Sequence, residues 1–453
     1  MDTTYYALLG ALVLFSVYRI SRIGRRPKDY PPGPPTLPVL GNIHLKPHLQ
    51  FQKWAQEYGG VYSLMLGTKT MIVLSSDQAV KDLLDRKSAN YSARPDLYTG
   101  HTLLSGEKRM VMMVQPRLQT LFHNLDNYVR LNTTGGAMLA DFFPILRWLP
   151  AWLMTSKREA LAHYNHEIKL YVDLYRDAKS AALSPDSKSR PCVVKEIADL
   201  QARENFSDEY SSHIPAQLWE AGSDTTSTQL YGFIQALLLY PHIQAKGQAE
   251  LDAVIGPHRM PTLDDMNRLP YVRACVKETL RWHPAAILGA FPHSASADDV
   301  YKGHRIPAGS IIMLNVWAIH RDPARYPAPA IFDPERFIGD DSSSMESANH
   351  SDVAQRDHFG FGAGRRICPG MNVADRSMLL GVARIFWAFD VRPKKGGSMP
   401  VQDDFVEGFV AIPKTYDVDV KPRSDAREKI VRREWEEAKA MLDGNGQFRA
   451  GME

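Results

Sequence analysis

Cys368 closes the run Phe359-Gly-Phe-Gly-Ala-Gly-Arg-Arg-Ile-Cys-Pro-Gly370, a single cysteine at the end of a loop rich in glycine and arginine. A thiolate in such a place can serve as an axial ligand of haem iron. Gly360, Gly362 and Gly364 let the backbone fold tightly and approach a flat ligand closely. They also free backbone N–H groups to point at the sulfur, which tunes a ligating thiolate. Pro369 and Gly370 open a largely apolar run, Met371 to Phe389, that reads as a helix with the cysteine at its N-terminal end. The helix dipole there favours the charged thiolate. A lone cysteine is more often a packing residue, so the loop around it has to carry the reading. Phosphate binding is the rival use of these glycines. The spacing is Gly-x-Gly-x-Gly, not the Gly-x-Gly-x-x-Gly of a dinucleotide fold, and no apolar strand runs into Gly360. His320-Arg321-Asp322 has the order of a kinase catalytic triplet, yet Pro323 follows and no Asp-Phe-Gly appears downstream.

Two other groups of residues have informative spacing. Trp219-Glu-Ala-Gly-Ser-Asp-Thr-Thr226 lies inside Ile214 to Tyr240, a stretch suited to a long helix with a buried body. Gly222 and the hydroxyls of Ser223, Thr225 and Thr226 are unfavourable in mid-helix. That predicts a bulge where backbone groups are released. Glu278 and Arg281, in Lys277-Glu-Thr-Leu-Arg-Trp-His-Pro284, stand three apart and so share one helix face.

Phe361, Gly364, Arg366, Cys368 and Gly370 together resemble the haem-binding signature of the cytochrome P450 family. The resemblance implies a mainly α fold with a small β region. It makes Cys368 the proximal ligand of haem b, pairs Arg366 with a haem propionate, and puts His293 near a propionate. It makes the segment around Gly222 the distal helix, with Asp224 and Thr225 as a proton-delivering pair, since an acid beside a hydroxyl can hand over protons in order. Glu278 and Arg281 match the family's buried pair, completed by Arg336 of Pro334-Glu-Arg-Phe337, and serve structure and not chemistry. Ala285 to Phe291 and Phe405 to Val410 become walls of an apolar pocket. The implied activity is monooxygenation of a bulky apolar small molecule, with electrons from an NADPH-dependent flavoprotein reductase. Asn315-Val-Trp-Ala-Ile-His-Arg-Asp322 is similar to fungal members that act in secondary metabolism. Two alternatives stand beside this: a haem-thiolate isomerase or dehydratase, which needs no reductase and no acid–alcohol pair, and a non-catalytic remnant.

The remnant enters because the chain departs from the family's pattern. The family carries a helix with a Trp and an Arg that hold the propionates, whereas this chain has no Trp between Trp54 and Trp148. From Met113 it passes within a few residues to Phe122-His-Asn-Leu-Asp126 and then Gly135-Gly136, so it reads as several helices short between about residues 113 and 135.

The elements that must position these residues sit in a chain of ordinary globular composition: 453 residues, 44% hydrophobic and 23% charged. No linker or repeat divides it, which suggests one large catalytic domain over residues 29–453 after a segment at 1–28. A net charge of +3 gives no ground for nucleic-acid binding. Three scattered cysteines, Cys192, Cys275 and Cys368, form neither a disulfide framework nor a zinc cluster, and suit a reducing compartment. Tyr5 to Tyr18 is apolar and is followed by Arg19, Arg22, Arg25, Arg26 and Lys28. Charge after the apolar run, not before it, favours a membrane anchor over a cleaved signal peptide. The positive-inside rule then leaves the body in the cytoplasm, at the endoplasmic reticulum membrane. Tyr30-Pro-Pro-Gly-Pro-Pro-Thr-Leu-Pro38 is too rich in proline for helix and reads as a stiff hinge. Arg427 to Ala440, with mixed charges, reads as a solvated terminal helix.

Overall fold

Helix-forming stretches dominate the computed structural model, which describes residues 3–37, 41–42, 47–95, 139–183, 192–406 and 410–441. The first half holds α1 (Thr3–Arg22), α2 (Pro47–Tyr58), strands β1 (Val61–Leu66) and β2 (Lys69–Leu74), the single turn α3 (Asp77–Val80) and the short α4 (Leu139–Phe142). Five longer helices follow: α5 (Thr155–Leu183), α6 (Val193–Glu204), α7 (Asp208–Leu239), α8 (Pro241–Val254) and α9 (Pro270–Trp282). Then come β3 (His293–Ser294), β4 (Asp299–Tyr301), β5 (His304–Ile306), β6 (Ile311–Leu314), α10 (Val316–His320) and α11 (Ser344–Asn349). The chain continues with α12 (Met371–Ala388), β7 (Phe389–Pro393), β8 (Phe405–Val406), β9 (Ile412–Pro413), β10 (Val418–Pro422) and α13 (Asp425–Ala440). The expectation of a chain several helices short falls on residues 113–135, which lie outside the described residues.

The small sheet runs β1-β2-β6-β3. β1 and β2 form an antiparallel hairpin around Gly67, and β2 pairs in parallel with β6, Met71 opposite Ile311 and Leu74 opposite Leu314. Ile72, Leu74, Val80, Leu84, Ile312 and Leu314 form one core on this sheet, and Phe359 and Ala363 of the cysteine loop belong to it. The larger core lies where α7, α8, α9 and α12 converge, with Phe233, Leu237, Val272, Leu280, Val382, Phe386 and Trp387. Phe233 and Phe386 meet edge to face with centroids 5.3 Å apart. Each large side chain buried this way contributes on the order of 1.5–3 kcal/mol. The two cores flank the cysteine loop, one before Cys368 and one after it.

At the N-terminus the apolar run does form a helix of 20 residues, and its side chains from Leu12 to Ile20 are exposed. It does not meet the expectation of a span: no helix among the described residues is long and apolar enough to cross a membrane. The proline segment is extended as expected, but it is not a free spacer. Arg26 donates from Nη1 to the Gly33 carbonyl at 2.6 Å, from Nη2 to the Pro34 carbonyl at 2.6 Å, and from Nε to Ser63 Oγ at 2.9 Å. One residue of the basic flank thus ties the hinge to β1.

α7 is longer than the sequence suggested and starts from a Ser207 cap, whose hydroxyl accepts the Tyr210 N–H at 3.1 Å. The predicted bulge is absent, since helix runs unbroken through Gly222 to Thr226. The hydroxyls resolve their conflict with the helix by bonding back one turn. Ser223 donates to the Trp219 carbonyl at 2.6 Å and Thr225 to the Ala221 carbonyl at 2.5 Å. α13 is largely exposed, as expected, but Arg427 and Arg423 clamp Asp252 of α8 and Arg427 lies over the Trp387 ring of α12 at 5.3 Å.

Candidate active site

The loop that ends at Cys368 is built by its own backbone. Gly362 N–H donates to the Phe359 carbonyl, and Cys368 N–H to the Phe361 carbonyl, both at 2.9 Å. Gly362 and Gly364 have φ of +78° and +65°, the left-handed region that favours glycine. At Gly364 a Cβ would also collide with the carbonyl oxygen of Leu84. Its N–H donates to Asp85 Oδ1 at 2.7 Å, so the loop is docked on the turn after α3. Arg356 reaches in from the other side, donating from Nη2 to the Gly362 carbonyl and from Nε to the His358 carbonyl at 3.0 Å. Its guanidinium lies over the Phe359 ring at 4.2 Å, and burial pulls its pKa down to about 10.

Cys368 itself is half-buried, three residues before α12. Burial pushes the thiol up from its ordinary range, and the Gly370 N–H only partly offsets that. A buried thiolate loses hydration that a single N–H does not fully replace.

Arg366 donates from Nε to the Ser92 carbonyl at 2.9 Å. Two other basic groups gather at the same backbone segment. His293 is buried and its Nδ1 lies 2.8 Å from the Tyr91 carbonyl. Arg94 donates from Nη1 to the carbonyls of Phe291 and Pro292, each at 2.9 Å. Loss of surrounding water, and then the charge of Arg366, brings Arg94 down to about 10. Burial lowers His293 first, and the charges of Arg94 and Arg366 add to it. Arg366 and His293 carry a signal in the sequence, whereas Arg94, in an Arg-Pro dipeptide, carries none. The donor set fits a haem: a thiol at one edge, and a cluster whose mutual repulsion an anionic carboxylate pair would relieve.

Asp224 and Thr225 sit together on α7, half-exposed, in a window from Ala221 to Ser227 between stretches that are buried on both sides. α7 packs on α12, with Leu230 against Gly381, so the acid–alcohol pair lies one and a half turns before that crossing. Ala286 to Ala290 is half-exposed and Phe291 is exposed. Phe405, expected as a pocket wall, packs on His283 and Trp317 with centroids 5.3 and 5.8 Å away. Residues 407–409 of that segment lie outside the described residues.

The buried pair behaves as expected of a structural device. Glu278 and Arg281 have no solvent exposure and join at 2.6 and 2.7 Å. Asp333 N–H donates to Glu278 Oε1 at 2.7 Å, and Arg336 Nε lies 3.6 Å from the same oxygen. Burial raises the Glu278 pKa, while Arg281, the Asp333 N–H and Arg336 hold it back. A sequence feature set aside as kinase-like belongs to this assembly: His320 bridges Arg281 and Phe359.

A mainly helical body with a thiol-bearing, glycine-turned loop and a basic cluster beside it defines a haem-thiolate protein. The chain belongs to the cytochrome P450 family, whose profile matches residues 31–113 and 106–420. It is 40% identical to cytochrome P450 monooxygenase virE of Hypocrea virens, over 97% of this chain and 94% of that protein. It is 37% identical to cytochrome P450 monooxygenase fogE of Aspergillus ruber, over 99% of this chain and 97% of that one. A solved zebra fish cytochrome P450 with progesterone shares the fold, with a TM-score of 0.64 and 23% identity, covering 84% of this chain and 100% of that one. Membership makes the protein an oxidoreductase with haem iron held by a cysteine thiolate. The comparisons also bear on the shortened region. The profile matches in two stretches that meet at 106–113, beside Met113. The virE alignment has 521 positions against 453 residues here, which leaves at least 68 positions with no residue of this chain.

Proposed function

We propose that the protein hydroxylates or otherwise oxidises a bulky apolar small molecule in secondary-metabolite biosynthesis. It uses haem b ligated by Cys368 and electrons from an NADPH-dependent flavoprotein reductase. The observation that carries the reading is the pairing of the Cys368 loop with the cluster of Arg366, Arg94 and His293, a thiol and a set of anion-seeking groups arranged around one loop. When bound, the haem supplies two-electron reduction of dioxygen and delivery of one oxygen atom to the substrate. In this reading Arg366, Arg94 and His293 hold the propionates, and Phe361, Gly364 and Gly370 shape the loop on the ligand side. Thr225 Oγ1, whose O–H rests on the Ala221 carbonyl, turns that O–H into the pocket to deliver a proton and accepts the next on a lone pair. Asp224 beside it is the acid that replenishes the relay. Ala286 to Phe291 keeps water from the apolar substrate. That acid–alcohol pair favours oxygenation over isomerisation or dehydration, neither of which consumes protons in this way.

The reading extends to location. The exposed apolar side chains of α1, Leu14 at 72% among them, and the exposed Trp148 (88%) and Trp152 (76%) suit the interface of the endoplasmic reticulum membrane, with the catalytic body in the cytoplasm. The carbon monoxide difference spectrum of the reduced full chain tests the haem assignment. A Soret band at the thiolate position in the wild type, lost in Cys368→Ser, is expected; an unchanged band in that variant would remove Cys368 as the ligand.

A further inference from the structure

His320 ends α10 with no solvent exposure and with both ring nitrogens engaged. Nε2 lies 2.7 Å from the backbone nitrogen of Phe359, and Nδ1 lies 2.9 Å from the carbonyl oxygen of Arg281. A backbone N–H can only donate and a carbonyl can only accept, so the partners fix the tautomer: Nε2 is bare and Nδ1 carries the hydrogen. The link to Arg281 is reciprocal, since Arg281 Nη1 donates to the carbonyl of His320 at 3.0 Å. Arg281 is itself locked on Glu278. On the far side, Phe359 is fully buried, and its carbonyl takes the Gly362 N–H that starts the turn towards Cys368. One imidazole therefore spans three segments that are distant in sequence: the end of α9, the end of α10 and the first residue of the cysteine loop.

We propose that His320 is a positioning residue for the cysteine loop, carrying the fixed geometry of the Glu278–Arg281–Arg336 cluster to the backbone at Phe359 and so setting where Cys368 is presented. This rests on the haem-thiolate reading and goes beyond it by naming how the buried ion cluster and the ligand loop are coupled. The bond to Phe359 distinguishes a positioning role from simple filling of the core, because it reaches the loop's backbone directly.

Two variants separate the ring's two arms. His320→Asn keeps an amide nitrogen where Nδ1 stood and so retains donation to Arg281, but it does not reach Phe359. His320→Gln reaches Phe359 with Oε1 and restores the acceptor. Hydrogen exchange of the Phe359 amide, read by fragment-resolved mass spectrometry on the full chain as purified, is expected to speed up at least tenfold in the Asn variant and to stay within about threefold of wild type in the Gln variant. The haem-bound chain should follow the same order, with at least tenfold faster haem loss and a Soret band shifted from the thiolate position in the Asn variant. Equal effects of the two variants on both readouts, or wild-type behaviour of the Asn variant, overturns the proposal. If the Asn variant does not fold, the wild type decides: protection of the Phe359 amide comparable to that of the α9 amides is expected, and rapid exchange refutes the bond. A wild type without a thiolate Soret band would defeat the proposed function while leaving the exchange test standing.

Discussion

Thr225 donates its only proton to a carbonyl one turn back, and this shapes what its loss would do. Thr225→Ala removes the hydroxyl next to Asp224 but leaves the helix, whose backbone bonds do not depend on it. Haem content and the Soret position should stay as in wild type, while product formation falls about 10²-fold, the usual scale of a lost proton-transfer group. Unaltered turnover in this variant would remove Thr225 from the relay. At the same scale the sequence revealed part of the site and hid part. Cys368 and Arg366 carry a signal in motif spacing and His293 one in a family position. Arg94 and His320 carry none. Each acts through a contact with a residue far along the chain, and no periodicity encodes a partner across such a distance.

Elements add what single residues do not show. The α9 face that carries Glu278 and Arg281 is closed to solvent, so the carboxylate depends wholly on its guanidiniums and the Asp333 N–H. Glu278→Gln leaves Arg281 buried without its charge partner. A cost of about 3–5 kcal/mol is expected, seen as a lower midpoint in chemical denaturation with the slope unchanged. A loss under about 1 kcal/mol would mean the cluster is not sealed. The helix through Gly222 shows the limit of local reasoning. Glycine and hydroxyls signalled a break, yet back-bonding of Ser223 and Thr225 satisfied the hydroxyls, and burial on either side of the window held the helix straight. α1 and, separately, the stretch holding Trp148 and Trp152 expose apolar groups with charge close by in sequence, from Arg19, Arg22 and Arg147. Flotation with vesicles containing anionic lipid should retain the full chain and lose much of it when Trp148 and Trp152 are both changed to Ser. Equal flotation of the variant would assign the binding to α1 alone.

The whole molecule carries a pH signature. His283 is fully buried and pushed down to about 3, first by burial and then by the charge of Arg321. His320 is driven well below its ordinary value by burial, with His358 and Arg281 adding to it. Unfolded, both return to about 6.5. Below that pH the unfolded chain takes up protons that the native fold refuses, so stability is fully present above about 6.5 and is lost as pH falls towards 3. For His283 each pH unit in that window costs on the order of 1 kcal/mol, and His320 acts in the same direction. The unfolding temperature should fall steadily between pH 6.5 and pH 5; a flat profile would show that these rings titrate in the folded state. The motifs made the mainly helical class legible at this scale, through a family resemblance that implies a whole fold. The sheet order was not legible, since β2 finds its parallel neighbour far along the sequence.

That pairing sets a clock on biosynthesis. Leu314 leaves the ribosome 240 residues after Leu74, its partner in the sheet. At roughly 5–20 residues per second, the β1–β2 hairpin waits on the order of ten to fifty seconds with one edge open. Val73 and Leu74, sealed in the finished protein, are presented to the cell throughout that interval. Slower translation therefore lengthens the time in which that open edge can pair with another chain before β6 arrives.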